Sequence, residues 1–105
     1  MKNSIAAALV LMFLSMPALA EEKEIEIKNY MFAPQNVTIT AGTKVTWVNT
    51  DQIPHGIADK DKKFRSAALD TNERYSFTYS APGVYPYFCT LHPYMTGTVT
   101  VTKGN

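Results

Sequence analysis

The segment from Gly83 to Gly97 reads GVYPYFCTLHPYMTG, and within it a thiol, an imidazole and a thioether occur in seven residues. Cys89 is the only cysteine of the chain, and His92 and Met95 follow it at steps of three. Thiolate and thioether are soft metal ligands, and imidazole suits copper. A copper site of two histidines, one cysteine and a weakly bound methionine would draw three of its ligands from this loop.

The fourth ligand of such a site has to come from elsewhere in the chain. His55 is the only other histidine, and it directly follows Pro54. The four candidate metal ligands are therefore His55, Cys89, His92 and Met95. This set uses both histidines and the single cysteine, so no ligand of these two types is left over.

Other sites that use cysteine and histidine fit this loop less well. A c-type haem needs a Cys-x-x-Cys-His motif, and the chain has one cysteine. Structural zinc sites take their ligands from cysteine, histidine and carboxylate, and methionine is a poor zinc ligand. Zinc could therefore occupy this site, but we do not expect it to be the native ion. A nucleophilic Cys–His pair needs an orienting third group, and no oxyanion site is evident near His92. The simplest alternative is that Cys89 and Met95 only fill the core.

Residues 1–20 have the pattern of an export signal. Lys2 gives a positive start, the apolar run that follows is too short to span a bilayer comfortably, and residues 18–20 read Ala-Leu-Ala, the form of a cleavage site. We predict cleavage after Ala20 and export to a bacterial periplasm, with an uncleaved N-terminal anchor as the alternative. Residues 21–105 then form a single small copper-binding domain.

Export of the protein would limit the roles that its single cysteine can have. An odd cysteine in an exported protein implies pairing with another chain, a reactive thiol or a metal ligand. The histidine and methionine beside Cys89 favour the metal.

The charge of the mature chain is balanced. Lys2 lies in the signal, so nine basic residues remain against nine acidic ones. Binding to nucleic acid needs a basic face, so we expect no nucleic-acid partner. The mixed-charge run of residues 59–65 is interpreted as a solvated hairpin turn, with a docking patch for an acidic partner as the alternative.

Apolar and polar residues alternate through most of the mature chain. Ile25 and Ile27 alternate with charged residues, and a period of two also runs through Tyr75, Phe77 and Tyr79. Further strands are predicted at 37–40, 45–49, 57, 84–88 and 98–102, and residues 29–34 are predicted to be a loop. Short strands between turn signals, without a helical period, predict an all-β fold. We expect one antiparallel β-sandwich with Greek-key connections.

The segment Gly83–Gly97 resembles the copper-ligand hairpin of the cupredoxin family. The two-residue spacers between its candidate ligands are most similar to the short loop of the amicyanin group. The pair Pro54-His55 and the strand Val45–Asn49 match the same pattern, so the resemblance covers nearly the whole mature chain. It implies a Greek-key β-sandwich that binds one copper ion, as Cu(I) or Cu(II), through the four candidate ligands.

The resemblance also implies a function. The protein would be a blue (type 1) copper protein, not an enzyme, that shuttles single electrons between redox protein partners, a dehydrogenase or a c-type cytochrome. We expect a monomer without membrane contact after signal cleavage. The alternative is an exported copper carrier that takes part in copper handling. The ring edge of His92 would lie in an apolar docking patch, whose candidates are Pro54, Pro93 and Tyr94, with Met31 and Phe32 beside them.

The sequence departs from the family at Gly56. Cupredoxins usually place asparagine after the first histidine ligand, where its side chain braces the ligand loop. The backbone N–H of Gly56 can still donate to the Cys89 sulfur, but the side-chain brace is lost. Hydrogen bonds behind the ligands set their orientation and tune the metal, so the resemblance does not fix the reduction potential.

Overall fold

The computed structural model describes residues 21–104. The predicted export signal, residues 1–20, lies outside the described residues. The described part contains eight strands and no helix, and therefore no helix that could cross a membrane. The strands are β1 (Glu22–Lys28), β2 (Met31–Ala33), β3 (Asn36–Thr40), β4 (Thr43–Asn49), β5 (Ile57–Asp59), β6 (Arg74–Tyr79), β7 (Gly83–Cys89) and β8 (Thr96–Thr102).

The strands form two four-stranded sheets. One sheet has the order β2-β1-β4-β6 and the other the order β3-β8-β7-β5. The predicted all-β sandwich is confirmed. Each sheet contains one parallel pair, β1 with β4 and β3 with β8, beside antiparallel pairs, so both sheets are mixed.

The core lies between the two sheets and follows the predicted alternation. Ile25 and Ile27 of β1 are fully buried, whereas the charged residues between and around them face outward. Trp47 of β4 and Tyr87 of β7 meet edge to face in the core, with ring centroids 5.3 Å apart. Each such buried apolar side chain contributes about 1.5–3 kcal/mol through removal from water, so the inward rows hold the sheets together.

The C-terminal ends of β1, β4 and β7 lie at one end of the sandwich, and they position the candidate ligands. Because β1 and β4 are parallel, both deliver their C-terminal ends there. The loop after β4 leads through His55 into β5, and β5 pairs with β7 so that Ile57 lies opposite Cys89. His55 is thereby carried from the first sheet to the edge of the second, beside the cysteine.

The turn between β1 and β2 differs from the predicted loop over residues 29–34. Lys28 pairs with Met31, so Asn29 and Tyr30 alone connect the two strands. Both connecting residues have positive φ, 54° and 59°. Residues 31–33 form a short antiparallel strand that continues the sheet.

Candidate metal centre

Three of the four predicted ligands come together at the end of the sandwich. The Nδ1 atom of His55 lies 3.6 Å from the Sγ atom of Cys89, and the Nδ1 atom of His92 lies 3.8 Å from the same sulfur. The three donor atoms all lie within 4.8 Å of one another. Among the described residues the only other contact to these three atoms is the Gly56 N–H on the Cys89 sulfur, and both Nδ1 atoms face that sulfur, so they form a cluster suited to a metal ion.

The spacing of the cluster fits a metal ion at its centre. Metal–nitrogen bonds of 2.0–2.1 Å and metal–sulfur bonds of 2.3 Å place nitrogen and sulfur about 3.8 Å apart at a trigonal angle. The observed distances from Cys89 Sγ, 3.6 and 3.8 Å, match this value. One thiolate and two imidazoles in a plane are the donor set that copper electron-transfer sites use.

Met95, the fourth predicted ligand, lies in the same loop, where the structure shows its burial and its backbone hydrogen bonds. Its side chain is buried at the same end of the core. Its backbone closes the loop, because its carbonyl accepts from the Cys89 N–H at 3.0 Å and its N–H donates to the His92 carbonyl at 2.8 Å. The two-residue spacers therefore fold into one compact turn, and ligation by Met95 stays a prediction.

His55 is fixed through both its backbone and its ring. Its N–H donates to the carbonyl of Leu69 at 3.1 Å, and its carbonyl accepts from the N–H of Leu69 at 2.6 Å. Its Nε2 atom lies 2.8 Å from the Oδ2 atom of Asp51. A neutral imidazole that donates from Nε2 has its lone pair on Nδ1, which is the nitrogen facing the cysteine. Carboxylates hold metal-bound histidines in this way.

Asn49, at the end of β4, organises the loop that carries His55. Its side-chain amide donates to the carbonyls of Ile53 and Leu69 at 2.9 and 2.8 Å, and its Oδ1 atom accepts from the N–H of Asp51 at 2.9 Å. The side chain is fully buried. Three hydrogen bonds from one buried amide make the loop a defined structure rather than a free connection.

The carboxylate of Asp51 is ionised despite partial burial. Burial opposes its negative charge, but hydrogen bonds from the backbone N–H groups of Tyr30 and Asn29 and from His55 outweigh it, so the pKa of Asp51 lies below its ordinary value. Asp51 could not be singled out from the sequence. Its only signal was an acidic residue four positions before a candidate ligand, which is common in loops.

The structure shows what occupies the space left by Gly56. The backbone N–H of Gly56 donates to Cys89 Sγ at 3.5 Å, as the sequence suggested. A Cβ atom at this position would lie 2.3 Å from the Oγ1 atom of Thr90. The Thr90 side chain therefore stands where a larger residue would begin. The Thr90 N–H also donates to the Gly56 carbonyl at 3.1 Å, so a backbone hydrogen bond links the two ligand segments.

Aromatic rings surround the partly exposed His92. Tyr30 packs edge to face on it at 5.1 Å between centroids and Tyr94 at 6.2 Å. The exposed apolar residues near it include Met31, Tyr94 and Leu91, the last of which the sequence analysis missed. Phe32 was wrongly included, since its side chain is turned into the core and only 3% exposed. Along β2 exposed and buried residues alternate, so the neighbours Met31 and Phe32 take opposite faces.

Comparison with known proteins agrees with this geometry. A family model described as Cupredoxin-like domain matches residues 4–101. Amicyanin-alpha of Methylorubrum extorquens is 39% identical over 87 residues, which make up 78% of this chain and 73% of that protein. The chain belongs to the cupredoxin family. Cupredoxins bind one copper ion, so the predicted cofactor is confirmed, with the His55, Cys89 and His92 cluster as its candidate site.

Other relatives of this cupredoxin include a second amicyanin, a plastocyanin and a solved cupredoxin structure. The amicyanin of Paracoccus versutus is 36% identical, and the match covers 66% of that protein's length. The plastocyanin of Scenedesmus fuscus is 38% identical over 68% of this chain and 86% of its own. Among solved structures, a purple cupredoxin from Nitrosopumilus maritimus superimposes with a TM-score of 0.73 at 36% identity, over 76% of this chain and 99% of its own. The predicted resemblance, including its amicyanin group, is confirmed.

Proposed function

We propose that this cupredoxin is a periplasmic blue copper protein that carries single electrons between redox proteins, with His55, Cys89, His92 and Met95 as the ligands of one copper ion. The observation that carries the proposal is the cluster of one sulfur and two Nδ1 atoms, in which the nitrogens lie 3.6 and 3.8 Å from the sulfur. When bound, the copper ion takes up and releases one electron. The similarity of this chain to amicyanins and plastocyanins, the electron carriers of the family, supports the same function.

Rigid ligands suit electron exchange. His55 is held by Leu69 and Asp51, and Cys89 is held by the pairing of its strand and by the Gly56 N–H. Ligands that cannot follow the geometric preference of either oxidation state keep the rearrangement between the states small. The hydrogen bond on the sulfur and the burial of the cysteine also tune the potential.

Electron transfer is favoured over catalysis by the small volume of the cavity that the candidate ligand Met95 lines. A cavity of about 130 Å³, lined in part by Tyr30, Tyr94 and Met95, lies beside the site. Substrate pockets usually have about 300–1,000 Å³. An electron needs no pocket, only a partner surface near the metal.

The partner surface is proposed to be the apolar rim around His92. Pro54, Pro93 and Tyr94 are exposed, and Met31 and Leu91 extend the rim. A dehydrogenase or a c-type cytochrome that presents an apolar face of its own would dock here, with a monomer of this protein as the carrier. No membrane or nucleic acid takes part in this proposal.

Export remains part of the proposal. Its support is the sequence of residues 1–20, with a positive start, an apolar run and the Ala-Leu-Ala site before Glu21. Residues 21–105 are proposed as the mature single domain. N-terminal sequencing of the protein from a periplasmic extract tests the cleavage after Ala20.

The second candidate function, delivery of copper, uses the same four residues. It is less favoured because the mature chain has two histidines and two methionines, all placed at or near one site, and carriers rely on exposed clusters for exchange. Copper added to the apo-protein separates the two functions. An intense visible thiolate-to-copper band with reversible one-electron cycling supports electron transfer. Colourless Cu(I) binding with rapid transfer to a chelator supports the copper-delivery function and overturns the proposal of electron transfer.

A further inference from the structure

The turn between β1 and β2 contains a tyrosine in an unfavourable backbone conformation. A two-residue hairpin turn with positive φ at both positions favours Asn followed by Gly. Here Asn29 is followed by Tyr30, whose φ is 59°. A bulky residue in the left-handed region is a true outlier, and such outliers often mark functional positions. The role of the tyrosine must be sought in what it contacts.

One carboxylate holds this turn in place. The Oδ1 atom of Asp51 accepts from the Asn29 N–H at 2.7 Å, and its Oδ2 atom accepts from the Tyr30 N–H at 3.1 Å. The same Oδ2 atom accepts from His55 Nε2 at 2.8 Å. The turn and the first histidine are thus tied to one side chain, which lies in the same loop as His55.

The ring of Tyr30 lies against both imidazoles. Its centroid is 5.6 Å from that of His55 and 5.1 Å from that of His92, with interplanar angles of 90° and 83°. Edge-to-face packing at these distances is favourable for aromatic rings. The tyrosine is 45% exposed, so it stands between the two histidines and solvent.

We propose that Tyr30 is a positioning residue of the metal centre, an aromatic cover that the Asp51 carboxylate holds against both His55 and His92. The inference rests on the proposed copper site. The cover fixes the His92 ring, which lies in a loop and is partly exposed, and it restricts the approach of water and chelators from this side. A turn that served only to connect two strands would not require tyrosine where glycine is the easier residue.

Tyr30→Gly separates the cover from the turn. Glycine adopts positive φ without strain, so the turn should persist and the apo-protein should still fold. Removal of the ring should loosen the His92 imidazole and speed the transfer of copper to an external chelator about tenfold, within the range usual for residues behind the ligands. Tyr30→Phe keeps the ring and is the conservative variant that should restore slow transfer.

Asp51→Asn tests the second half of the proposal. An amide has one oxygen where the carboxylate has two, so the variant cannot accept from Asn29, Tyr30 and His55 Nε2 together, and its NH₂ group cannot accept at all. NMR of the apo-protein should show the His55 tautomer change, and chelator transfer of copper should again accelerate about 10–100-fold. Glu22→Gln, which removes the same charge at the opposite end of β1, is the matched control and should leave both unchanged.

The outcomes are distinguishable from failure of the copper site itself. If the wild-type apo-protein does not take up copper, the proposed function fails, and relaxation of the His92 ring in apo Tyr30→Gly still tests the cover. If wild-type protein binds copper and Tyr30→Gly releases it at the wild-type rate with an equally rigid His92 ring, the cover is disproved. Tyr30→Phe behaving like Tyr30→Gly would also overturn the proposal.

Discussion

The backbone N–H of Gly56 lies 3.5 Å from the sulfur of Cys89 and donates to it. This contact links the segment after the first candidate ligand to the second one without any side chain at position 56. A donor at the sulfur withdraws negative charge from the thiolate and is one of the ways in which proteins tune copper sites. The loss of the usual asparagine therefore removes a side-chain brace but not the hydrogen bond on the sulfur.

Cys89→Ser should abolish the intense visible band of the copper-loaded protein while the fold survives. The serine hydroxyl is a hard, weakly acidic donor, and the chain has no second thiol to replace it. Placing a hydroxyl at this fully buried position should lower the free energy of unfolding by about 1–3 kcal/mol. Visible absorption and circular dichroism measure the two effects, with Thr90→Ser as the control. An intense band in the Cys89→Ser protein would show that the thiolate is not a ligand.

Copper should raise the thermal stability of the folded protein. His55 and the candidate ligands of residues 89–95 come from two segments, so the unfolded chain should bind copper less well than the native one. A ligand at a thousandfold excess over its Kd adds about 4 kcal/mol, which corresponds to a rise in Tm of roughly 20 °C for a domain of this size. Calorimetry of apo and loaded protein tests this prediction. Equal Tm values would argue against a preformed native site.

Acid should release His92, not His55, from the reduced protein. His55 is fully buried and its Nε2 is engaged by Asp51, whereas His92 is partly exposed and precedes Pro93, which has no backbone donor. Metal binding competes with protons for imidazole. Because Cu(I) tolerates three ligands, protonation of His92 favours the reduced form, and the reduction potential should rise as pH falls. Voltammetry with NMR of both imidazoles is the measurement. A potential independent of pH, or titration of His55 alone, would contradict this prediction.

The free energy of unfolding should fall steeply above pH 10. Burial raises the pKa of Tyr87 to about 12, and it raises the pKa of Tyr79 as well. The folded state holds these protons where the unfolded state, with tyrosine near 10, loses them. The stabilisation is therefore fully present below about pH 10 and is lost as pH rises towards 12, by about 1.4 kcal/mol per pH unit for each tyrosine.

Tyr87→Phe provides the matched test of the alkaline prediction. The Tyr87 hydroxyl is buried and has no hydrogen-bond partner among the described residues. Phenylalanine should therefore leave stability at pH 7 unchanged or slightly raised, while it reduces the alkaline slope by about 1.4 kcal/mol per pH unit. Denaturant unfolding of both proteins between pH 7 and pH 11.5 measures this difference. Parallel curves would mean that another group controls alkaline unfolding.

The sequence predicted the strands better than their partners. The alternation in β1 and β6 identified these strands because each has one row facing the core. Periodicity carries no information on strand direction, so the parallel pairing of β1 with β4 was not foreseen. Residues 31–33 were assigned to a loop because three residues are too few to establish a period.

The candidate ligands were predictable, and the residues that support them were not. His55 and Cys89 belong to residue types that occur once or twice in the chain, and their chemistry identifies them. Asp51 and Asn49 are common loop residues whose importance depends on where their hydrogen bonds go. Tyr30 contradicts the usual turn preference, so only the three-dimensional position of its ring explains it.

The burial of Cys89 has a consequence for the maturation of the protein. Its side chain is fully buried, 0% exposed, even though the metal site lies at the end of the sandwich. A disulfide with another chain needs two sulfurs about 2.05 Å apart, and no foreign thiol can reach this sulfur unless the loop of residues 89–95 opens. The folded apo-protein is thus shielded from exchange with other thiols and disulfides. Folding can therefore precede the arrival of the metal without leaving the thiol open to reaction.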